Sequence, residues 1–579
     1  FHPLAFSLLI SKSITCFTAR ALSTHFSTAS LDKHPQSTER GITLDLGFSS
    51  FLAPVPDDFS HIPYDQVQFT LVDCPGHASL IKTVLGAAHI IDMMILVIDV
   101  NKGIQTQTAE CLVVGEIASN ELLVVLNKTD MIPESTRNGI VEKMRKRIMN
   151  TLKATKFKDV HIIPIAARPG GSDSMSSCGP PPEGMSAVMT SLSSRVTEAS
   201  LRKKSGNFLF AVDHCFPIKG QGTVLTGTVL SGECSIGDLV ELPTLGLTKK
   251  IKSMQMFKRS VQRCAQGDRL GMCFTQLDHK MMERGIVASP GTVPSFDAAI
   301  VTADKIRFHR GTILSKTKFH ITFGHCTVMA TVEFFCQSSA VSEVKSTSEM
   351  LRQSKFPNET CEISSPIDVC SQTFSGFHED KEYNYCEELW SEETNNFSDK
   401  RSGPTGRRAY SECTSPREVP ESPYFALLRF DRQVTCPNGT LYMASRFDSD
   451  FNQNTCRLAF HGCLARPLNL DHDPNELRCM KVFKLKEREG TVDRVIDTHY
   501  AIGRGMFKKE TDLTLFQGMK VITSHGEEGV IEGAFGKSGK FKLYFKDGIC
   551  TMENNASVIR LYLRFKRLSF DKESKRMFQ

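Results

Sequence analysis

The stretch VQFTLVDCPGH, Val67 to His77, decides the fold. A mostly apolar run ends in a polar turn, and the same pattern returns in MMILVIDV (93–100), LLVVLNKTD (122–130) and HIIPIA (161–166). The intervening stretches 78–89, 105–118 and 134–155 have the length and composition of helices. Strands that are apolar on both faces and separated by helices predict a parallel sheet covered on both sides. Such sheets bind ligands at the carboxyl ends of their strands. DCPGH and NKTD both fall there.

Bulk properties bound the rest. A chain of 579 residues, 40% hydrophobic, has room for about three to five domains. Its formal charge of +6 permits a nucleic-acid partner without requiring one. Nineteen cysteines show no C-x-x-C pair and no zinc-type spacing, so reduced thiols are expected. The apolar run Leu4 to Ile10 is far short of the roughly 20 residues that cross a bilayer, and no membrane association is expected.

The texture changes along the chain. After PGGSDSMSSCGPPPEG (169–184) and a short helix-like piece, the first domain is expected to close at 198. From 207 onward, runs such as GTVLTGTVLSG, GDRLGMCF and TVMATVEFF are short, β-branched and punctuated by glycine. They predict two β-barrels, 199–294 and 295–470, the second interrupted by a polar segment, 337–422, read as a flexible insertion. Residues 471–579 then form a fourth, mainly-β domain with the basic ending LYLRFKRLSFDKESKRMF.

The tetrads carry specific chemistry. NKTD after a buried strand resembles the guanine-recognition element of GTPases. The resemblance gives Asp130 the guanine N1 and N2 edge, Lys128 the face of the base, and Asn127 the task of tying the loop together. Read alone, the same residues would serve as a helix N-cap. DCPGH resembles the magnesium and γ-phosphate element: Asp73 toward Mg²⁺, the Gly76 amide toward the phosphate, His77 toward the attacking water, with Pro75 shaping the turn. RGIT (40–43) places Thr43 as a second Mg²⁺ group, and Ala166 and Ala167 fall where such domains contact the guanine oxygen by backbone amide.

The longer matches narrow the family. ERGITLDLGFSSF, the run from Thr70 to Ile117, VDHCFPIKGQGTVLTGTVLSG, KSMQMF, CRLAFHG and GRGMFKKETDLTLFQGMKV resemble the eukaryotic selenocysteine-specific elongation factors. The likeness covers about 19–579 apart from the insertion. LDLGF, DHCF and a fourth domain separate the chain from elongation factor Tu. The resemblance implies a P-loop α/β GTPase domain followed by two β-barrels and a C-terminal mainly-β domain, with GTP and Mg²⁺ as cofactors. It implies delivery of selenocysteyl-tRNA to the ribosome at recoded UGA codons, with the selenocysteine insertion RNA element and its binding protein as further partners. A monomer in the cytoplasm is expected, with a nuclear location left open.

It also implies a pocket for the aminoacyl group: His214 and Arg269 as a basic pair, Asp213 beside them, and Phe48 contributing a ring. A selenolate there is stabilised in a way that the neutral hydroxyl of serine cannot imitate. The plainer reading pairs Arg269 with Asp268 on a barrel turn. For the basic tail (Arg560, Arg564, Lys566, Arg567, Lys572, Lys575, Arg576) a solvated face competes with RNA contact, and strand alternation accounts equally well for Tyr562, Phe565 and Phe570.

One element is missing. The phosphate loop G-x-x-x-x-G-K-[ST] belongs between the first strand and first helix, yet residues 1–18, FHPLAFSLLISKSITCFT, contain no glycine. Ser and Thr enrichment with no acid before Asp32 suggests a presequence. Family-like sequence that starts in mid-helix at ARALST favours instead a first domain incomplete at its N-terminus. LAFSLLI is apolar enough to stand in for the first strand, though nothing in the sequence shows that it pairs. Two readings follow: a GTP-hydrolysing elongation factor, or a relative that binds tRNA or RNA without nucleotide.

Overall fold

The computed structural model describes residues 4–11, 15–23, 25–26, 46–56, 65–74, 84–86, 88–157, 160–168, 181–196, 206–337, 376–390, 423–447, 456–536, 539–549, 559–570 and 577–579. Its first domain holds strands β1 (Leu4–Ser11), β2 (His25–Phe26), β3 (Gly47–Pro54), β4 (Gln66–Cys74), β5 (Met93–Asp99), β6 (Glu121–Asn127) and β7 (His161–Pro164). They form one sheet in the order β2-β3-β4-β1-β5-β6-β7. Pairing is parallel from β4 through β7 and antiparallel at the β2–β3–β4 edge.

LAFSLLI does pair. β1 lies between β4 and β5, in register from Leu4 opposite Val67 to Ser11 opposite Cys74. It therefore occupies the central position of a first strand. Among the described residues four full helices accompany the sheet: α1 (Thr15–Leu22), α2 (Thr106–Ala118), α3 (Glu134–Leu152) and α4 (Met185–Ser193). The expected helix over 78–89 lies mostly outside the described residues.

Burial shows why the apolar runs read as they do. Met93, Ile95 and Val97 pack with Ala19 and Leu22 of α1 and Val188 and Leu192 of α4. The alternate residues Met94, Leu96 and Ile98 pack with Leu112 of α2 and with Val141, Ile148 and Leu152 of α3. Both faces are thus dry, and each such side chain contributes about 1.5–3 kcal/mol by leaving water. Gly115 lets α2 approach the sheet, since a Cβ there would lie 2.0 Å from Met94 Sδ.

Three barrels follow. In the first, β8 (Leu209–Ile218) and β9 (Gly222–Ser231) join strands Leu239–Leu242, Leu247–Met256, Arg269–Phe274 and Gly285–Ala288 in a closed six-stranded ring. The second closes through Ser295–Thr302, Thr317–Phe323, Cys326–Gln337, Tyr424–Thr435, Leu441–Ser445 and Leu458–Leu468. Pairings of Lys481–Val495 with both Tyr500–Arg504 and Arg560–Leu568 close a third ring. The full set of expected strand-rich regions is there, each as a barrel.

The polar segment 337–422 contains structure that its composition hid. Within it, Glu382–Cys386 is a strand that pairs antiparallel with Cys326–Gln337 and parallel with Lys481–Val495. It bridges the second and third barrels in one continuous sheet. Tyr383 explains its order: the ring is 1% exposed and packs edge-on against Phe335 at 5.4 Å and Phe425 at 5.7 Å. An aromatic anchor flanked directly by Glu382 and Asn384 leaves no apolar run for sequence reasoning to detect.

The second barrel also docks on the first domain. Arg457 donates to both carboxylate oxygens of Glu110 on α2, at 2.9 and 2.7 Å, with both side chains buried. Arg307 reaches Glu116 on the same helix. Forked pairing of this kind fixes geometry as well as charge. Among the described residues no helix is long and apolar enough to cross a membrane.

Candidate functional site

Every polar group expected at the sheet's carboxyl edge that is described lies there. Asp73 ends the run of β4 and is 1% exposed. Asn127 ends β6, and Lys128 follows with a left-handed φ of 67° that turns the chain into a short 3-10 turn, Thr129–Met131. Asn127 Oδ1 accepts from the Lys128 amide at 2.7 Å and the Ala167 amide at 3.1 Å. The loop after β6 is thereby tied to the loop after β7, with Ala166 bridged to Glu183. Asp130 is half-buried at the opening. Thr43, Pro75, Gly76 and His77 lie outside the described residues.

Two contributors escaped the sequence reading. Asp99, at the end of β5, holds Lys128 Nζ at 3.1 Å. Burial pushes the Asp99 carboxyl up, but the Asn101 amide and the Lys128 ammonium outweigh it and hold the group below its ordinary value. A fixed ammonium fixes the aliphatic stem. Thr18 of α1 accepts from Asn127 Nδ2 at 3.3 Å and is fully buried. The signal for Asp99 was available, an acid closing a wholly buried strand; Thr18 gave none.

These groups fit the guanine end of GTP. The phosphate end differs, because only Lys12, Ser13 and Ile14 separate β1 from α1. Three residues cannot supply the paired glycines, lysine and hydroxyl of the eight-residue loop that cradles phosphates. Of the Mg²⁺ groups, Asp73 is the one within the described residues.

The second constellation is in the first barrel, and a bulge makes it possible. Along β8 neighbouring side chains should face opposite ways, yet the register shifts between Val212, opposite Gly227, and His214, opposite Thr226. Asp213 is the extra residue. It and His214 are consequently brought to the same place: His214 Nδ1 donates to Asp213 Oδ1 at 2.9 Å, since a carboxylate can only accept. Arg269, opening its strand, donates from Nη1 to Asp213 Oδ2 at 2.5 Å, and Thr226 donates to Oδ1 at 2.9 Å.

The first domain supplies the lid. The Arg269 guanidinium carbon lies 3.1 Å from the centre of the Phe48 ring, which meets the His214 ring edge-on at 6.3 Å. Burial would raise the Asp213 carboxyl, but the Arg269 charge, then the His214 hydrogen bond, hold it well below the carboxylate range. Arg269 is only 3% exposed, and its Nε and Nη2 have no hydrogen-bond partner among the described residues. The turn pairing with Asp268 does not hold this arginine; the Asp268 carboxylate caps the Ala265 amide at 2.8 Å. All four expected pocket residues meet.

A doubly covered sheet with this guanine loop, followed by barrels, defines a translational GTPase. A family profile for the elongation factor Tu GTP-binding domain matches residues 10–213 accordingly. The chain belongs to the selenocysteine-specific elongation factors: it is 45% identical to the mouse protein of that name over 536 residues, covering 92% of this chain and 86% of the relative. It is 34% identical to the one from Methanocaldococcus jannaschii over 54% of this chain and 62% of that protein. Profiles for the third domain of the eukaryotic selenocysteine-specific factors and for the eEFSec C-terminal RIFT domain match 300–462 and 478–558. In fold, the chain is similar to translation elongation factor SelB from Methanococcus maripaludis in complex with a GTP analogue, with a TM-score of 0.63 at 22% identity, over 98% of this chain and all of that one. It is a GTPase-family elongation factor, and GTP is the nucleotide of its first domain.

Proposed function

We propose that this protein delivers selenocysteyl-tRNA to the ribosome at recoded UGA codons, the selenolate being held by Arg269 and His214 beneath Phe48. One observation carries the reading: a guanidinium only 3% exposed keeps two nitrogens, Nε and Nη2, without a hydrogen-bond partner among the described residues. Buried donors left unmet cost about 1–3 kcal/mol each, more for a charged group, and an anion removes that cost. The selenol is ionised at neutral pH, whereas the hydroxyl of serine is not. Asp213 has the supporting role of orienting both bases.

The test is a reconstituted translation reaction at millimolar GTP, with a reporter interrupted by UGA and carrying the insertion element. Full-length selenium-containing product that depends on this chain supports the reading. Termination at UGA in its presence, with ordinary codons decoded, rejects it.

RNA contact by the C-terminal barrel, the insertion element with its binding protein as partners, and action in the cytoplasm are part of the same proposal. For RNA contact the support is a cleft of about 290 Å³ between the second and third barrels. Lys484 and Arg567 are directly opposed across their strands, Lys486 lies on the same face, and Lys316 comes from the second barrel. Glu333 and Glu387, the latter paired with Lys484, offset part of the charge. Much of the basic tail, by contrast, is barrel strand, with Leu561, Leu563 and Phe565 turned into the core. Replacing Lys486 and Arg567 by Glu should weaken insertion-element RNA binding and lower the slope of log affinity against log salt by about one to two. An unchanged slope removes the cleft from the interface.

A further inference from the structure

Two thiols outside both sites meet across the bridging strand. Cys386 ends the strand Glu382–Cys386, and Cys336 lies near the end of Cys326–Gln337. The register sets Cys386 opposite Phe334 and Cys336 opposite Asn384, so the two cysteines are diagonal neighbours on one face. Their sulfurs are 3.4 Å apart, the S–H of Cys386 directed at Cys336. A disulfide needs about 2.05 Å, so the two sulfurs are neighbours that must still draw together by about 1.3 Å to bond. Cys336 is 5% exposed, while Cys386 is half-buried and opens the pair to a small molecule.

We propose that Cys336 and Cys386 are an oxidation site: a hydroperoxide converts them to a disulfide that staples the bridging strand to the second barrel. The Cys336 sulfur, as thiolate, attacks one peroxide oxygen and the O–O bond breaks. For hydrogen peroxide, the hydroxide released takes up the thiol proton as water and Cys336 becomes a sulfenic acid, oxidised by two electrons. The Cys386 sulfur then attacks the Cys336 sulfur and the S–O bond breaks. The departing hydroxide leaves with the Cys386 proton as a second water. Two thiols and one peroxide give one disulfide and two waters.

The surroundings suit that order. The hydrogen bond from Cys386 draws the Cys336 thiol below its ordinary value against the effect of burial, and the same bond, with burial, raises Cys386. Position gives the bond its consequence. Glu382–Cys386 also pairs with Lys481–Val495, so the disulfide fastens the strand that joins the second and third barrels.

The full-length protein is treated with hydrogen peroxide at a stoichiometric level, alkylated under denaturing conditions, digested and analysed by mass spectrometry. The expected result is a peptide pair linked through Cys336 and Cys386, about 2 Da lighter than the two thiol peptides together and released by dithiothreitol. The variant C386S should yield instead a Cys336 sulfenic acid that dimedone traps. Recovery of both cysteines as free alkylated thiols, while exposed Cys479 is oxidised, overturns the proposal. Finding the linked pair only when the protein is unfolded before oxidation overturns it equally. The wild-type arm decides even if C386S does not fold.

Discussion

Arg269→Ala is expected to cost the protein about 3–5 kcal/mol of stability at pH 7, the usual consequence of leaving a buried charge without its partner. Asp213, 2% exposed, would keep only His214 and Thr226. The pH dependence carries a definite sign. In the wild type the folded Asp213 carboxyl lies below its unfolded value near 3.9, so its stabilisation is complete above about pH 4 and fades only in stronger acid. Without Arg269, burial dominates and drives the folded value upward. The penalty is then full above that raised value and is relieved by protonation as pH falls. The thermal midpoints of variant and wild type should converge between pH 7 and about pH 4. A constant gap across that window, or none at pH 7, contradicts the assignment. Arg269→Lys should recover part of the stability, since it restores charge without the fork.

Replacing Lys12 to Ile14 with a G-x-x-x-x-G-K-[ST] loop is expected to tighten GTP binding by at least about a hundredfold. Each charge-assisted hydrogen bond to a phosphate is worth about 1.5–3 kcal/mol, and the loop supplies several through amides and its lysine. Two such bonds already give roughly 3–6 kcal/mol, where about 1.4 kcal/mol is a factor of ten. The insertion point is defined by β1, which pairs along its full length with β4 and from Leu8 to Ser11 with β5, and by α1, which begins at Thr15. In the grafted chain, Asp130→Ala should erase much of the gain by removing the guanine acceptor. Fluorescent-GTP titration reads both. Sub-micromolar affinity in the unaltered chain overturns this expectation, as does a folded graft with no change.

The legible parts of the molecule are those whose cause is local. Buried runs such as MMILVID name their own strand, because a parallel strand dry on both faces has no alternation to conceal it. The guanine tetrad sits where such a strand ends, and the barrels announced themselves by short β-branched runs between glycines. What stayed hidden depends on partners distant in sequence. Thr18 meets Asn127 across 109 residues, and Arg457 meets Glu110 across 347. The bulge that brings Asp213 and His214 together is a property of pairing with Gly227 and Thr226, invisible in the string DHCF. Glu382–Cys386 is held by two neighbouring strands and the aromatic ring of Tyr383, with too few apolar residues of its own to stand out.

The cluster of Phe48, Asp213, His214 and Arg269 is the point on which the proposed function rests, because selection of the cargo is assigned to it there. The direct measurement is the affinity of the full chain, at a saturating concentration of a GTP analogue, for selenocysteyl-tRNA and for the same tRNA carrying serine. A site built around a buried cation discriminates by about two orders of magnitude or more against a ligand that leaves its donors unmet. The expected result is that preference in the wild type and near-equality in Arg269→Ala, with serine binding little changed. Equal affinity for the two in the wild type would contradict the account.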